Sequence, residues 1–402
     1  MRIAVVGAGI SGLGAAYALS RVHHVDVFER EATAGGHVNT VMHEGTPLDT
    51  GFIVLNELNY PLLNRLFREL GVRTQESEMS FSVSCAGCGL EYSGRRPFAQ
   101  PGNLLSIRFG SLLWEIGRWL RTARASLDEA DYDSYSLGRY LDERGYSERF
   151  RRHFLIPFTA ALWSTAPGRA LEFPAAHAIR FFENHGMLGF GRLRWQTVVG
   201  GAQTYVRAVL PLSGFVQTGL PVRSVRRDAD KVVIRTDDDK TRTYDRVVIA
   251  THADQALALL EDPSDHERAI LGAFPYTRND AVLHTDSSRL PRANGARAAW
   301  NYRLAADEKP TVTYSLNRLQ QLNTERDYLL TLNEDVAEEH ELARFAYSHP
   351  LFTLDAIRAQ ERLGELSGRR GTEFAGAYQG NGFHEDGLAS GIRAAASLGV
   401  SW

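Results

Sequence analysis

Apolar positions along the 402-residue chain fall into three patterns, each tied to one kind of element. Short unbroken apolar runs bounded by glycine or charge predict buried strands. Residues 5–16 (VVGAGISGLGAA) start with such a run, turn through glycines and open a helix. Residues 25–29 (VDVFE) and 244–250 (YDRVVIA) repeat the strand signal. A helical period links Leu105, Phe109, Leu112, Ile116, Trp119 and Ala123, predicting one helix within residues 103–127. Alternation sets in at residues 311–316 (TVTYSL), which predicts a strand, and the turn-rich residues 287–295 predict a link between strands. No tandem repeat or low-complexity tract interrupts this order.

The glycines after the first strand carry chemistry. Gly7 permits a tight turn, Gly9 lets a pyrophosphate approach the backbone, and Gly12 lets helix and strand pack closely. The helix N-terminus, with Ser11 in its first turn, offers free N–H groups and partial positive charge to phosphates. The second strand ends at Glu29, 17 residues after Gly12. A carboxylate there accepts hydrogen bonds from both ribose hydroxyls of an adenosine and repels a 2′-phosphate, so the nucleotide is FAD or NAD rather than NADP. Gly35 and Gly36 follow, and paired glycines let backbone pass close to a ligand.

Residues 29–37 (EREATAGGH) resemble the acid-to-Gly-Gly-Arg stretch of the flavin amine oxidase superfamily, which includes monoamine and protoporphyrinogen oxidases and phytoene-type desaturases. His37 stands where that family usually has Arg, and Arg30 directly follows the acid. Further blocks follow in the family's order. Residues 48–52 (LDTGF) resemble the segment beside the flavin ring, which adds Gly51, Phe52 and Ile53 to the expected contacts. Residues 59–74 resemble the next helix, and residues 199–210 the glycine-pair entry to the second half of the nucleotide domain. Residues 220–225 (LPVRSV) resemble the strand whose backbone at Val222 meets adenine. Residues 374–376 and 382–395 resemble the closing motif. This likeness implies Gly376 near the ribityl phosphate, and the last helix, with His384 and Glu385, at the flavin pyrimidine. It implies an α/β fold in which a Rossmann-like FAD-binding domain (residues 1–75, 195–265 and 365–402) interleaves with an α+β substrate domain (residues 76–194 and 266–364). It also implies non-covalent FAD, because the cysteine that tethers FAD in monoamine oxidases is missing near the C-terminus.

Composition narrows the partners. A net charge of −3 gives nucleic acid no electrostatic footing. No apolar stretch reaches the roughly 18 residues of a membrane span. Two cysteines and no signal peptide predict a reducing, cytoplasmic setting. Trp114 and Trp119 lie among Arg108, Arg118, Arg121 and Arg124, so residues 103–127 read either as a solvated basic face or as a peripheral membrane contact. Cys85 and Cys88 form a CxxC with no second pair, which reads as a turn rather than a zinc or redox site. His153, His177, His185 and His349 have no metal-ligand spacing, and no metal site is predicted.

His384 and Glu385 are the candidate catalytic residues, and three functions compete. A lipid-acting FAD-dependent oxidoreductase would take a hydride from a C–H bond of an apolar substrate, desaturating or isomerising an unsaturated or modified fatty-acyl chain. An FAD-dependent amine oxidase would act on a small amine, and a third option is a flavoprotein without catalysis. Residues 275–284 lack the Lys of many amine oxidases, and Phe383 stands where those enzymes carry a Tyr of the cage that attracts a cation. Residues 300–302, 314–320 and 382–386 resemble a bacterial NAD/FAD-binding subfamily associated with fatty-acid modification. The expected partner is therefore a small-molecule or lipid substrate.

Overall fold

A computed structural model describes residues 1–402 except 129–133, 164, 166, 189–192 and 305–310. Five parallel strands form one sheet, in the order Phe215–Gln217, His24–Phe28, Arg2–Val6, Arg246–Ile249 and Thr372–Phe374. Alternation of side chains splits the first strand between two cores. Ile3 and Val5 join Leu13, Val27 and Val248 on one face, while Ala4 and Val6 join Phe28, Val225 and Ile249 on the other. Both faces are covered, which explains the unbroken apolar runs. The second face meets the antiparallel strands Val222–Arg227, Val232–Thr236 and Thr241–Tyr244.

The first face holds helix Ile10–Leu19, buried along its whole length. It packs on the closing helix, His384–Ser397, at a distance only small residues allow. A Cβ on Gly391 would lie 2.1 Å from the Ser11 carbonyl oxygen, and one on Gly387 would lie 2.7 Å from Ile10 Cγ2.

A mixed seven-stranded sheet stands apart, in the order Glu341–Pro350, Tyr276–His284, Leu329–Leu332, Thr311–Ser315, Trp300–Leu304, Phe81–Cys85 and Glu91–Ser93. Only Trp300–Leu304 and Phe81–Cys85 run parallel. Thr311–Ser315 is buried on both faces rather than alternating. Its Thr313 hydroxyl lies 2.8 Å from that of Thr331, which lies 2.7 Å from His284 Nε2, so Thr313 finds its partner within the sheet. Residues 287–295 do link two strands, through short turns at Ser287–Arg289 and Asn294–Ala296.

Helices Ile107–Thr122, Leu137–Glu143, Ile156–Trp163 and Ala175–Asn184 pack around Trp119, Tyr140, Phe150 and Phe182. The helix expected within residues 103–127 begins later. Ser106 caps it by accepting from the Phe109 N–H, after a separate turn at Pro101–Leu105. Leu105 therefore lies outside the buried stripe and is 92% exposed. Among the described residues, no helix is long and apolar enough to cross a membrane.

Candidate FAD and substrate site

The glycine turn is built for close backbone approach. Gly7 has φ +98°, and a Cβ there would lie 2.9 Å from the Ala250 carbonyl oxygen. A Cβ on Gly12 would lie 1.9 Å from the Gly7 oxygen. Gly9 caps the first helix without a side chain, which leaves the first-turn N–H groups open to an anion. The glycine doublet lies alongside: Gly35 donates to the Ala8 carbonyl at 2.9 Å, and a Cβ on Gly36 would lie 3.1 Å from Gly9 Cα. Gly7, Gly9, Gly36, Gly51 and Phe52 keep partial or full exposure while the sheet beneath them is buried, so a groove of bare backbone runs between the motifs. A cleft of about 460 Å³ lined by Ala32, Thr33, Ala34, Gln203, Val216 and Thr218 opens beside the doublet.

Glu29 lies at the groove's end, with Oε2 accepting from Ala8 N (2.8 Å) and Oε1 from Glu31 N (2.9 Å). Each oxygen keeps a lone pair for a ribose hydroxyl. Leu220 N and Gly219 N bond the Glu29 and Glu31 carbonyls, which brings the segment leading to Val222 to the same end. Arg30 instead turns to solvent and pairs with Glu31.

Asp49 joins the halves of the cradle. Its carboxylate accepts from Ala202 N at 2.9 Å, from the Thr40 hydroxyl at 2.5 Å and from Gln320 Nε2 at 3.1 Å. Burial still pushes its pKa up to about 7. Gly51 follows: a Cβ there would lie 1.9 Å from the His37 oxygen, which accepts the Phe52 N–H at 2.9 Å. The Ile53 carbonyl accepts from Thr197. Gly376 donates to Ser390 Oγ at 2.8 Å, and a Cβ on it would strike the Tyr378 ring.

The two candidate catalytic residues diverge. The His384 ring stacks on Phe52 (centroids 4.0 Å apart, planes 15°), and its Nε2 lies 2.5 Å from the Tyr205 hydroxyl. Loss of hydration pulls its pKa down to about 3. Glu385 instead accepts from Leu62 N (2.7 Å) and Leu63 N (2.9 Å), capping helix Pro61–Leu70. Both of its oxygens are held there by backbone N–H groups.

His37 places no permanent cation where the family has Arg. Its ring faces His252, Tyr347 and His349 at 5.9, 5.2 and 5.3 Å, and its buried Nε2 has no partner. Burial holds His37 and His252 down to about 4 and His349 to about 3, so the cluster is neutral at pH 7. His349 lacks metal-ligand spacing in the sequence, and no motif marks His252 or Tyr347. The available signal was Phe345, Tyr347 and His349 at alternate positions of one strand, hence on one face. Beside His384, Phe383 stacks on Phe181 (4.8 Å), with His185 at 6.0 Å and Trp163 at 6.4 Å. Away from this site, the CxxC turn meets His153: Cys88 Sγ lies 3.4 Å from its Nε2.

A parallel sheet with an uncapped Gly-rich turn, an acid at its second strand and a bare groove defines a dinucleotide-binding protein. A match to a known family narrows this class to flavoproteins. The model of the family "flavin containing amine oxidoreductase" matches residues 10–286, and the chain belongs to that family. FAD is its cofactor, and the open helix end, the free lone pairs of Glu29 and the orphaned His37 Nε2 fit that group. Protoporphyrinogen oxidase 2 of Arabidopsis thaliana is 43% identical over 154 residues, which span 38% of this chain and 29% of that protein. Wild-type putrescine oxidase bound to putrescine shares the fold (TM-score 0.72, 16% identity, 99% of both chains). So does a CLA-producing fatty acid isomerase from P. acnes (TM-score 0.71, 18% identity, 99% of both chains).

Proposed function

We propose that this chain is an FAD-dependent oxidoreductase acting on a C–H bond of an apolar substrate, desaturating or isomerising an unsaturated or modified fatty-acyl chain. The observation that carries this reading is the uncharged aromatic wall of Phe383, Phe181 and Trp163 beside the His384–Phe52 stack. The carboxylates of the same motif, Glu385 and Asp386, are both engaged by backbone N–H groups rather than aimed at this wall. In this reading residues 1–75, 195–265 and 365–402 hold FAD, and residues 76–194 and 266–364 shape the substrate space. Gly7, Gly9, Ser11, Gly12, Gly35 and Gly36 admit the pyrophosphate. Glu29 and Val222 hold the adenosine, while Gly51, Phe52, Ile53 and Gly376 border the ribityl and ring portions. When bound, FAD supplies the hydride acceptor. His384, neutral at the N-terminus of a 14-residue helix, orients the ring edge through its stack, and the helix end favours negative charge there. Glu385 positions helix Pro61–Leu70.

The same reading places a lipid surface near residues 103–127. Leu104, Leu105, Ile107 and Trp114 are 65%, 92%, 91% and 61% exposed, beside exposed Arg108 and Arg121. Apolar side chains rimmed by cations suit an anionic membrane.

Anaerobic mixing tests the substrate class. Flavin bleaching is expected with a long-chain unsaturated fatty acid and not with short-chain analogues, since each buried methylene contributes about 0.8 kcal/mol. The amine oxidase alternative shares its fold with putrescine oxidase. Bleaching by putrescine or a primary amine, with none by any lipid, would replace the lipid reading with it.

A further inference from the structure

The hairpin joining Phe81–Cys85 to Glu91–Ser93 turns through Cys85-Ala86-Gly87-Cys88-Gly89-Leu90. Gly89 takes φ +71°, and its N–H bonds the Cys85 carbonyl at 2.8 Å. The turn brings both thiols together, and the Leu90 N–H donates to Cys88 Sγ. That is how a short CxxC turn presents two sulfurs to one point.

A third donor arrives from 65 residues away. His153 lies in a π-helical turn, Arg151–Leu155, wedged between Glu148–Phe150 and Ile156–Trp163. Single π-turns of this kind recur at functional sites. His153 Nδ1 lies 3.2 Å from the Arg149 carbonyl, which fixes the ring proton on Nδ1 and leaves the Nε2 lone pair facing Cys88 Sγ at 3.4 Å. The Tyr92 hydroxyl donates to the His153 carbonyl at 2.6 Å and holds the turn in place. The ligand atoms of Cys85, Cys88 and His153 all lie within 4.8 Å of one another. With Zn–S of about 2.3 Å and Zn–N of about 2.0–2.1 Å, a tetrahedron has S-to-N edges near ~3.5 Å. The observed Sγ-to-Nε2 separation matches that edge. Cys85 and His153 are buried and Cys88 is exposed, so the fourth corner opens to solvent.

We propose that Cys85, Cys88 and His153 form a Zn²⁺ site, with solvent as the fourth ligand. Two thiolates balance the charge of the ion, and binding releases both thiol protons to solvent with no change of oxidation state. The ion would tie the hairpin to helix Ile156–Trp163, whose Trp163 reaches the aromatic wall. The site is independent of which substrate that wall receives.

The test uses the full-length, FAD-loaded protein expressed with zinc and then dialysed. Metal analysis should find one zinc per chain. Cobalt replacing the zinc should give intense d–d bands to the red of the flavin, with thiolate-to-cobalt charge transfer. Cys88→Ser and His153→Gln should each weaken metal binding by more than the roughly 10–100-fold typical of an outer-shell partner, with FAD content unchanged. Added zinc should raise the Tm of the stripped wild type and leave Cys88→Ser unmoved. Choosing Cys88 and His153 avoids the fully packed Cys85. The proposal is overturned by zinc-free protein with an octahedral cobalt spectrum. Cobalt bands that survive both substitutions would also refute it. So would a Cys85–Cys88 disulfide, two hydrogens lighter by intact mass, after anaerobic purification.

Discussion

Lowering the pH from 6.5 to 5 should destabilise this protein, chiefly through its buried histidines. Seven histidines, at positions 37, 177, 185, 252, 284, 349 and 384, are held down to about 3 or 4, in each case first by burial. In the unfolded chain they titrate near 6.5. Between those values the unfolded state binds more protons, so the stability they contribute is complete above pH 6.5 and is lost as pH falls toward 4. At pH 5 each costs on the order of 2 kcal/mol. Four buried acids act oppositely: Asp49, raised to about 7, and Glu373, Glu385 and Asp386, also pushed up by burial. They gain native protons over part of the same window and offset part of that cost. Seven histidines against four acids leave a net loss of stability, set against a typical total of about 5–15 kcal/mol. Urea unfolding followed by circular dichroism at stepped pH should show the midpoint falling steeply from pH 6.5 to 5. His349→Gln should make that slope shallower. A midpoint that stays flat or rises on acidification would refute this accounting.

Other expectations concern single sites. Glu29→Ala removes two charge-assisted acceptors worth roughly 1.5–3 kcal/mol each, so FAD retained per chain after dialysis should drop sharply, as read from absorbance. Gly201→Ala forces a Cβ at φ +89° to within 2.6 Å of Thr40 Cγ2 and 3.2 Å of Asp49 Oδ1, whereas Gly45→Ala, at φ +77°, meets nothing within 4 Å. Both carry roughly 1–3 kcal/mol of backbone strain, but only Gly201→Ala should also lose FAD; equal melting and FAD content in the two would contradict the role given to Asp49. Ile107→Asp combined with Arg121→Glu should abolish salt-sensitive sedimentation with anionic liposomes while leaving FAD bound. No sedimentation of the wild type at low salt would return this helix to a solvated basic face.

Legibility followed the range of the interactions. The strand-turn-helix at residues 2–19 and Glu29 were readable because each glycine answers a local steric demand. The helix Pro61–Leu70, ended by Gly71 at φ +68°, was expected from the family resemblance of residues 59–74. What escaped were partners set by tertiary packing. Arg118 and Arg124 looked like free charges, yet Arg118 lies over the Tyr146 ring and Arg124 pairs with Glu183 at 2.6 Å. Leu105 matched a helical period that Ser106 interrupts by capping. His153 shows no spacing to Cys88, because the sheet and the helical layer bring them together only after folding.

The first turn of the closing helix shows why neighbours in a motif need not share a role. Successive residues of a helix leave the axis about 100° apart. Phe383 turns to Phe181 and Trp163, and His384 to Phe52 and Tyr205. Glu385 reaches the N-terminus of helix Pro61–Leu70, and Asp386 returns to the Phe383 N–H at 2.9 Å. Four consecutive side chains thus serve a substrate wall, a ring stack, a neighbouring helix and their own cap. The two acids are drawn to backbone N–H groups, where burial would otherwise leave charge unsolvated. That points both carboxylates at backbone donors rather than at the aromatic side chains beside the His384–Phe52 stack. The proposed preference for an apolar substrate over a cationic one therefore rests on where the acids of the motif point, and not on the aromatic residues alone.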